Sequence, residues 1–479
     1  MNSLTNTSFA DLGDPFCVKA QPEPLQAPQL LFFNQDLAKE LALGIKEEDH
    51  AALLSGQIRL NEQQPMAMNY AGHQFGQFNP QLGDGRAHLL GELTNQQGQV
   101  RELHLKGSGA TPFARRGDGK CGIKPAVREY IMGEAMQALG VPTTRSLSVV
   151  LTGETIRREV ATAGAVVSRV AKSHIRVGTF EYFAARNMVK EVQTLADFCL
   201  QRLYPEIPDN REKYFNLLDQ VIDKQIETIV HWMRVGFIHG VMNTDNMLVS
   251  GETVDYGPCA MMGVYDPTTV FSSIDHHGRY AYGQQPHIAQ WNLARLAESL
   301  LPLIDEDEQQ AIQQATKLIE SFNDRYNQAY DHMLSRKIGF KQSNEQTHKL
   351  TQDLLLLMQQ QQLDYTQTFV SLHDDLKAGN IPGTAALVDW FATWQQAIKQ
   401  AGMDSADVVR TMASVNPRVI PRNHHMEAVL SAVETTLSTT SADAFLTVLS
   451  QPYEQTEAMQ QYQDADANAD LNYQTFCGT

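Results

Sequence analysis

HGVMNTDN, residues 239–246, is the stretch on which the reading of the fold turns. Set against the catalytic-loop pattern H-R-D-L-x-x-x-N of phosphoryl-transfer enzymes, it keeps His239 and Asn246 in register but carries Val241 where the proton-accepting Asp belongs. An aliphatic side chain takes no proton. Either the loop binds without catalysing, or a different residue in a different geometry does the chemistry. Downstream, Asp255-Tyr256-Gly257 reads as D-F-G with Tyr for Phe. An amide oxygen from Asn246 and a carboxylate from Asp255 suit a hard cation such as Mg2+ or Mn2+, completed by phosphate and water oxygens. His239 reads as a structural hydrogen-bonder. Asp275, His276 and His277 read as residues that fold the following segment rather than metal ligands.

Working upstream, YFNLLDQVIDKQIETIVHWM (214–233) repeats apolar residues with a helical period and delivers the chain directly to this loop. Further back, VRELHLK (100–106) alternates, Leu103 and Leu105 on one face and Glu102, His104 and Lys106 on the other, which predicts a half-buried strand. KPAVREYIMGEAMQALG (124–140) has a proline in its first turn and a closing Gly140, the signals of a helix of about four turns. Glu129 sits among Ala126, Met132, Gly133 and Met136. A carboxylate on so apolar a face needs a cation, and Lys106 at the strand end is the natural structural partner.

Phosphates also need close-approaching backbone amides. QLGDGRAH (81–88) offers Gly83 and Gly85 followed by Arg86. A second cluster, ARRGDGKCG (114–122), matches G-x-G-x-x-G through Gly117, Gly119 and Gly122 but lacks the preceding strand of a dinucleotide fold. It also fails the G-x-x-x-x-G-K-[ST] loop, so it reads as a mobile basic flap carrying Arg115, Arg116 and Lys120. Arg169 lies inside the strand GAVVSRVA (164–171) and Arg176 follows it. A guanidinium there calls for phosphate or for a structural carboxylate, and the sequence leaves both open.

The chain has 479 residues, 42% hydrophobic and 19% charged, an ordinary soluble composition. A net charge of −17 disfavours nucleic acid and anionic membranes as partners, so an anionic ligand must be held by a local basic cluster. No apolar run approaches a membrane span and the N-terminus resembles no export signal, which predicts a cytoplasmic protein, with a monomer as the default. The five cysteines are dispersed, with no C-x-x-C pair. Strands and Gly-rich turns dominate residues 1–190, including RSLSVVLTGETI (145–156). Helical periods dominate 191–479, with HIAQWNLARLAESLLPL (287–303) beginning a run that lasts to Leu449. The Gln run after Met358 reads as a solvated helix face, and the polar last twenty residues read as a mobile tail. The fold class is α+β, an N-terminal mixed region followed by a helical one.

YAGHQFGQF (70–78), ELHLKGSGATPF (102–113), HGVMNTDNM (239–247) and DYGP (255–258) closely resemble the selenoprotein O family, with its bacterial YdiU members. The resemblance implies a two-lobed protein-kinase-like fold in which ATP lies flipped. It implies transfer of AMP to Ser, Thr or Tyr hydroxyls of protein substrates with release of pyrophosphate; UMP transfer, from UTP, is also attributed to bacterial members. It further implies nucleotide contacts from Gly83, Gly85, Arg86, Lys106, Asp118, Gly119, Arg169, Arg176 and Asp255, metal ligation by Asn246 and Asp255, and Asp245 as proton acceptor. A flipped nucleotide presents its α-phosphate to the acceptor, so the base moves from position 241 to Asp245. The family is linked to a redox bridge at the C-terminus, which makes Cys477 and Cys259 candidates, although FSSIDHHG (271–278) has no cysteine. The alternatives are an ordinary phosphotransferase and an inactive nucleotide-binding scaffold.

Overall fold

The computed structural model describes residues 4–5, 8–59, 62, 64–158, 160–465, 470–471 and 473–476. Its strands are β1 (Cys17–Lys19), β2 (Gln29–Phe33), β3 (Met66–Met68), β4 (Gly72–Gln74), β5 (Gln77–Asn79), β6 (Ala87–Thr94), β7 (Val100–Lys106), β8 (Cys121–Gly122), β9 (Arg145–Arg157), β10 (Ala161–Ala171), β11 (Phe237–Ile238) and β12 (Ala260–Met261). One antiparallel sheet runs β1-β3-β6-β7-β10-β9-β2, with β8 paired to β10. β4 and β5 form a separate hairpin. The N-terminal strands β1 and β3 carry too short a period to be found from the sequence.

Four helices belong to the first part of the chain: α1 (Gln35–Glu40), α2 (His50–Leu53), α3 (Ile123–Ala138) and α4 (Val177–Ala184). The rest are α5 (Val189–Leu203), α6 (Lys213–Val235), α7 (Gln285–Ile304), α8 (Glu308–Lys337), α9 (Glu345–Gln360), α10 (Tyr365–Ala378), α11 (Val388–Gln400), α12 (Ser405–Ala413), α13 (Asn423–Thr436) and α14 (Thr440–Leu449). The molecule is thus α+β. α6 ends where Gly236 takes the left-handed conformation, φ 76°, and β11 then leads into the loop at 239–246. None of the helices is long and apolar enough to cross a membrane among the described residues.

Leu103 and Leu105 of β7 pack with Leu90, Leu93, Leu147, Val150, Val166 and Val170 on one face of the sheet, closed by Leu37 of α1 and Leu53 of α2. On the other face α3 lays Val127, Ile131 and Ala135 into a larger core continuous with the helical region. β7 is not half-buried: Glu102 and His104 on its polar face are fully inaccessible, each hydrogen-bonded through one atom to a buried partner. The tail differs from expectation as well. Thr475 is buried, its N–H donating to the Phe271 carbonyl at 2.8 Å and its hydroxyl to the Pro258 carbonyl at 2.6 Å.

Candidate active site

A cleft of about 470 Å3 opens between the end of the sheet and the 239–258 segment. Lys106, the last residue of β7, enters it from the sheet, and α3 brings Glu129 up behind it. The Lys106 ammonium lies 2.7 Å from Glu129 Oε2 and 2.5 Å from Asp255 Oδ1. Arg169, on the neighbouring strand β10, reaches the same two acids, Nε to Glu129 at 2.7 Å and Nη2 to Asp255 at 2.8 Å. The result is a buried quartet of two cations and two anions. Burial opposes ionisation of both acids. The surrounding cations outweigh it: Lys106, Arg169 and Arg176 hold Asp255 well below the usual carboxylate range, and Arg169 and Lys106 lower Glu129. Asp255 adopts φ 63°, an uncommon left-handed conformation for a non-glycine residue and the kind of local strain found at functional sites.

A second polar chain lines the cleft. The Arg176 guanidinium stands over the Tyr70 ring at 4.4 Å and 3.6 Å from Asp84 Oδ1. Asp84 accepts from the Met68 N–H at 3.1 Å and lies 3.1 Å from His104 Nε2. His104 stacks on His174 at 4.3 Å, and His174 Nδ1 is 2.9 Å from Glu102. Burial pushes both histidines below their ordinary range, His174 to about 3. This explains why the polar face of β7 is inaccessible. Arg86 and Arg115 also line the cleft, giving a chain of net charge −17 a concentrated positive wall.

The catalytic-loop region is held by the β4–β5 hairpin. The His73 N–H donates to Thr244 Oγ1 at 2.7 Å and the Phe75 N–H to Asn243 Oδ1 at 3.1 Å. Asp245 accepts from Gln74 Nε2 at 3.3 Å through Oδ2, while its Oδ1 is buried with no partner. Burial pushes its pKa up to about 7. A carboxylate poised near neutrality on a residue that lines the cleft is suited to accept a proton. Asn246 donates its amide N–H to the Val241 carbonyl at 3.0 Å, which leaves its amide oxygen to offer. With the Asp255 carboxylate this is an all-oxygen donor set, the kind that Mg2+ or Mn2+ takes. Val241 itself lines the cleft as an apolar wall.

The cleft thus brings together Gly83, Gly85, Arg86, Lys106, Arg169, Arg176, Asp245, Asn246 and Asp255. Asp118 and Gly119 are not among its lining residues. Asp118 forks onto Arg158 at 2.8 and 3.0 Å, and Lys120 pairs with Glu154 at 2.7 Å, so the basic flap is pinned by ion pairs. A Cβ on Gly83 would stand 2.4 Å from the Phe113 ring, so close packing demands glycine there. His239 is buried, with Nε2 2.9 Å from the Val254 carbonyl. Asp275 accepts from the Arg279 and Tyr280 N–H groups at 2.9 and 2.7 Å, folding its own turn. Cys259 is buried, its thiol pushed up to about 12 by burial, and Cys477 lies outside the described residues. Tyr70, Gln74, Asp84 and Asn243 escaped the sequence reading. The first two lie in YAGHQFGQF and Asp84 lies between two glycines already singled out, but no local pattern says which way such side chains point.

The sequence profile of the family described as "Protein adenylyltransferase SelO" matches residues 1–450. Similar chains carry the name "Protein nucleotidyltransferase YdiU". One from Teredinibacter turnerae is 48% identical over 99% of both chains. One from Pseudoalteromonas translucida is 48% identical over 98% of this chain and 99% of its own. A third, from Shouchella clausii, is 44% identical over 99% of this chain and 98% of its own.

Proposed function

The chain belongs to the protein adenylyltransferase SelO family of protein nucleotidyltransferases, and from that membership we propose that it moves AMP, or alternatively UMP, from a nucleoside triphosphate onto Ser, Thr or Tyr hydroxyls of proteins, releasing pyrophosphate. The observation that carries this reading is Asp245, whose burial-tuned carboxylate lines a cleft where Val241 offers no base. In the proposed reaction the Asp245 carboxylate takes the acceptor hydroxyl proton as the oxygen attacks the α-phosphorus, and the bond to pyrophosphate breaks. Lys106, Arg169, Arg176 and Arg86 neutralise the phosphates, and Gly83 and Gly85 admit them closely. Asn246 and Asp255 hold Mg2+ or Mn2+, which supplies charge neutralisation at the phosphate oxygens. Asp118 and Gly119 contact the nucleotide from the flap. The flipped nucleotide, the two-lobed kinase-like arrangement and its division at 190/191 are parts of the same proposal.

ATP labelled at the α or the γ position tests it. With a protein acceptor, label from the α position that is lost in Asp255→Ala is the expected result. Label only from the γ position would overturn the proposal in favour of an ordinary phosphotransferase, and label from neither in favour of a binding scaffold.

A further inference from the structure

Away from the cleft, the first turn of α13 carries His424 and His425 in succession. Consecutive helical residues diverge by about 100° around the axis. Here the two rings nevertheless converge, centroids 4.0 Å apart and 45° between planes. Both Nε2 atoms point at one carboxylate oxygen, Asp464 Oδ1, at 3.2 Å from His424 and 2.6 Å from His425. The three ligand atoms all lie within 4.8 Å of one another. Ligand atoms about 2.0–2.2 Å from a tetrahedral zinc stand roughly 3.3 Å apart, so the His424–Asp464 spacing already fits and an opening of well under 1 Å brings the His425–Asp464 pair to it. Asp464, 58% exposed, has the freedom to make that adjustment.

We infer that His424, His425 and Asp464 form a site for a divalent transition-metal ion of the zinc class, which clamps the C-terminal strap to α13. The donor set, two imidazole nitrogens and a carboxylate oxygen, discriminates against Mg2+ and Ca2+ and suits Zn2+ or Co2+. An aromatic wall shields one side: Tyr462 lies 5.1 Å from the His425 ring, and Phe445 lies 4.9 Å from Tyr462.

The position gives the clamp a consequence. Downstream of Asp464 the described chain stays on the same track. Asp470 accepts from Asn423 Nδ2 at 2.9 Å and the Tyr473 hydroxyl accepts from Arg128 at 3.1 Å, Arg128 being one residue before Glu129 on α3. Thr475 then binds the carbonyl of Pro258, a residue of the cleft wall. A metal at His424/His425/Asp464 would therefore hold Asp464 to α13, the helix that Asp470 also reaches through Asn423, upstream of the Thr475 contact with the cleft wall.

The test is Zn2+ binding by the full chain in millimolar Mg2+, with Co2+ absorption as the spectroscopic readout. Wild type and Asp255→Ala are expected to bind one equivalent, which separates this site from the cleft. Asp464→Ala is expected to weaken it about 100-fold, and the His424→Ala/His425→Ala double variant to abolish it. Zinc is also expected to raise the melting temperature of wild type but not of Asp464→Ala, an exposed position whose loss leaves the core intact. Binding of equal strength in wild type and Asp464→Ala, or no zinc binding by wild type, would overturn the inference.

Discussion

Asp245 has one oxygen held by Gln74 and the other held by nothing, and burial raises its pKa to about 7. Two consequences have opposite signs. As a base Asp245 must be ionised, so AMP transfer is expected to rise about tenfold per pH unit below about pH 7 and to level off above it; Asp245→Asn should be about 10²- to 10⁴-fold slower with that limb gone. As a folded-state group its pKa lies above the unfolded value, so its contribution to stability is full below the unfolded pKa and is lost as pH rises through about 7. Asp245→Asn should therefore match wild type at about pH 4 and be more stable by on the order of 4 kcal/mol at about pH 8. Denaturant unfolding at the two pH values checks the second expectation. A wild-type rate profile that is flat from about pH 5.5 to 8 would remove Asp245 as the proton acceptor.

At the scale of elements, the β4–β5 hairpin does not join the sheet; it grips the loop. Gly72 shows how tight the grip is. A Cβ there would stand 2.9 Å from Asp245 Oδ1 and 3.1 Å from Leu82 Cδ1. Gly72→Ala is thus expected to displace the carboxylate and cut AMP transfer roughly 10- to 100-fold, while ATP affinity, which the proposal assigns to the cations of β7 and β10, is expected to change little. Gly98→Ala is the control. Its φ of 77° makes alanine cost about 1 kcal/mol, but nothing lies within 4 Å and transfer should be unchanged. Equal kinetics for Gly72→Ala and wild type would mean that the hairpin does not position the base.

At the scale of the whole molecule, the C-terminal strap ties α13, α3 and the cleft wall together. Its described contacts include Asp470 with Asn423, Tyr473 with Arg128 and with the Phe271 ring at 5.7 Å, and Thr475 with Pro258. Deleting residues 470–479 removes these and exposes the buried faces beneath. A loss of about 1–3 kcal/mol is expected, a fall of a few degrees in melting temperature. A melting curve identical to that of the intact chain would show that the strap adds nothing to stability.

Much was legible from the sequence because it was periodic or local. The stripe of α6, the alternation of β7 and the turn signals of α3 locate three elements that deliver residues to the cleft, and Glu129 on an apolar helix face calls for a cation. What the tertiary structure alone decided is how these elements share partners. Lys106 and Arg169 both divide themselves between Glu129 and Asp255, residues far apart in the chain, and no spacing rule predicts a four-member cluster. β7 reads as half-buried because alternation reports polarity, not exposure; His174 and Asp84 arrive from elsewhere to satisfy its polar face. The tail reads as mobile because its composition is polar, yet Tyr473 and Thr475 find hydrogen-bond partners on distant segments. Likewise, neighbouring histidines on a helix promise no shared target until the fold brings Asp464 to both. Local pattern follows from backbone geometry, whereas the pairing of buried polar groups depends on which surfaces meet.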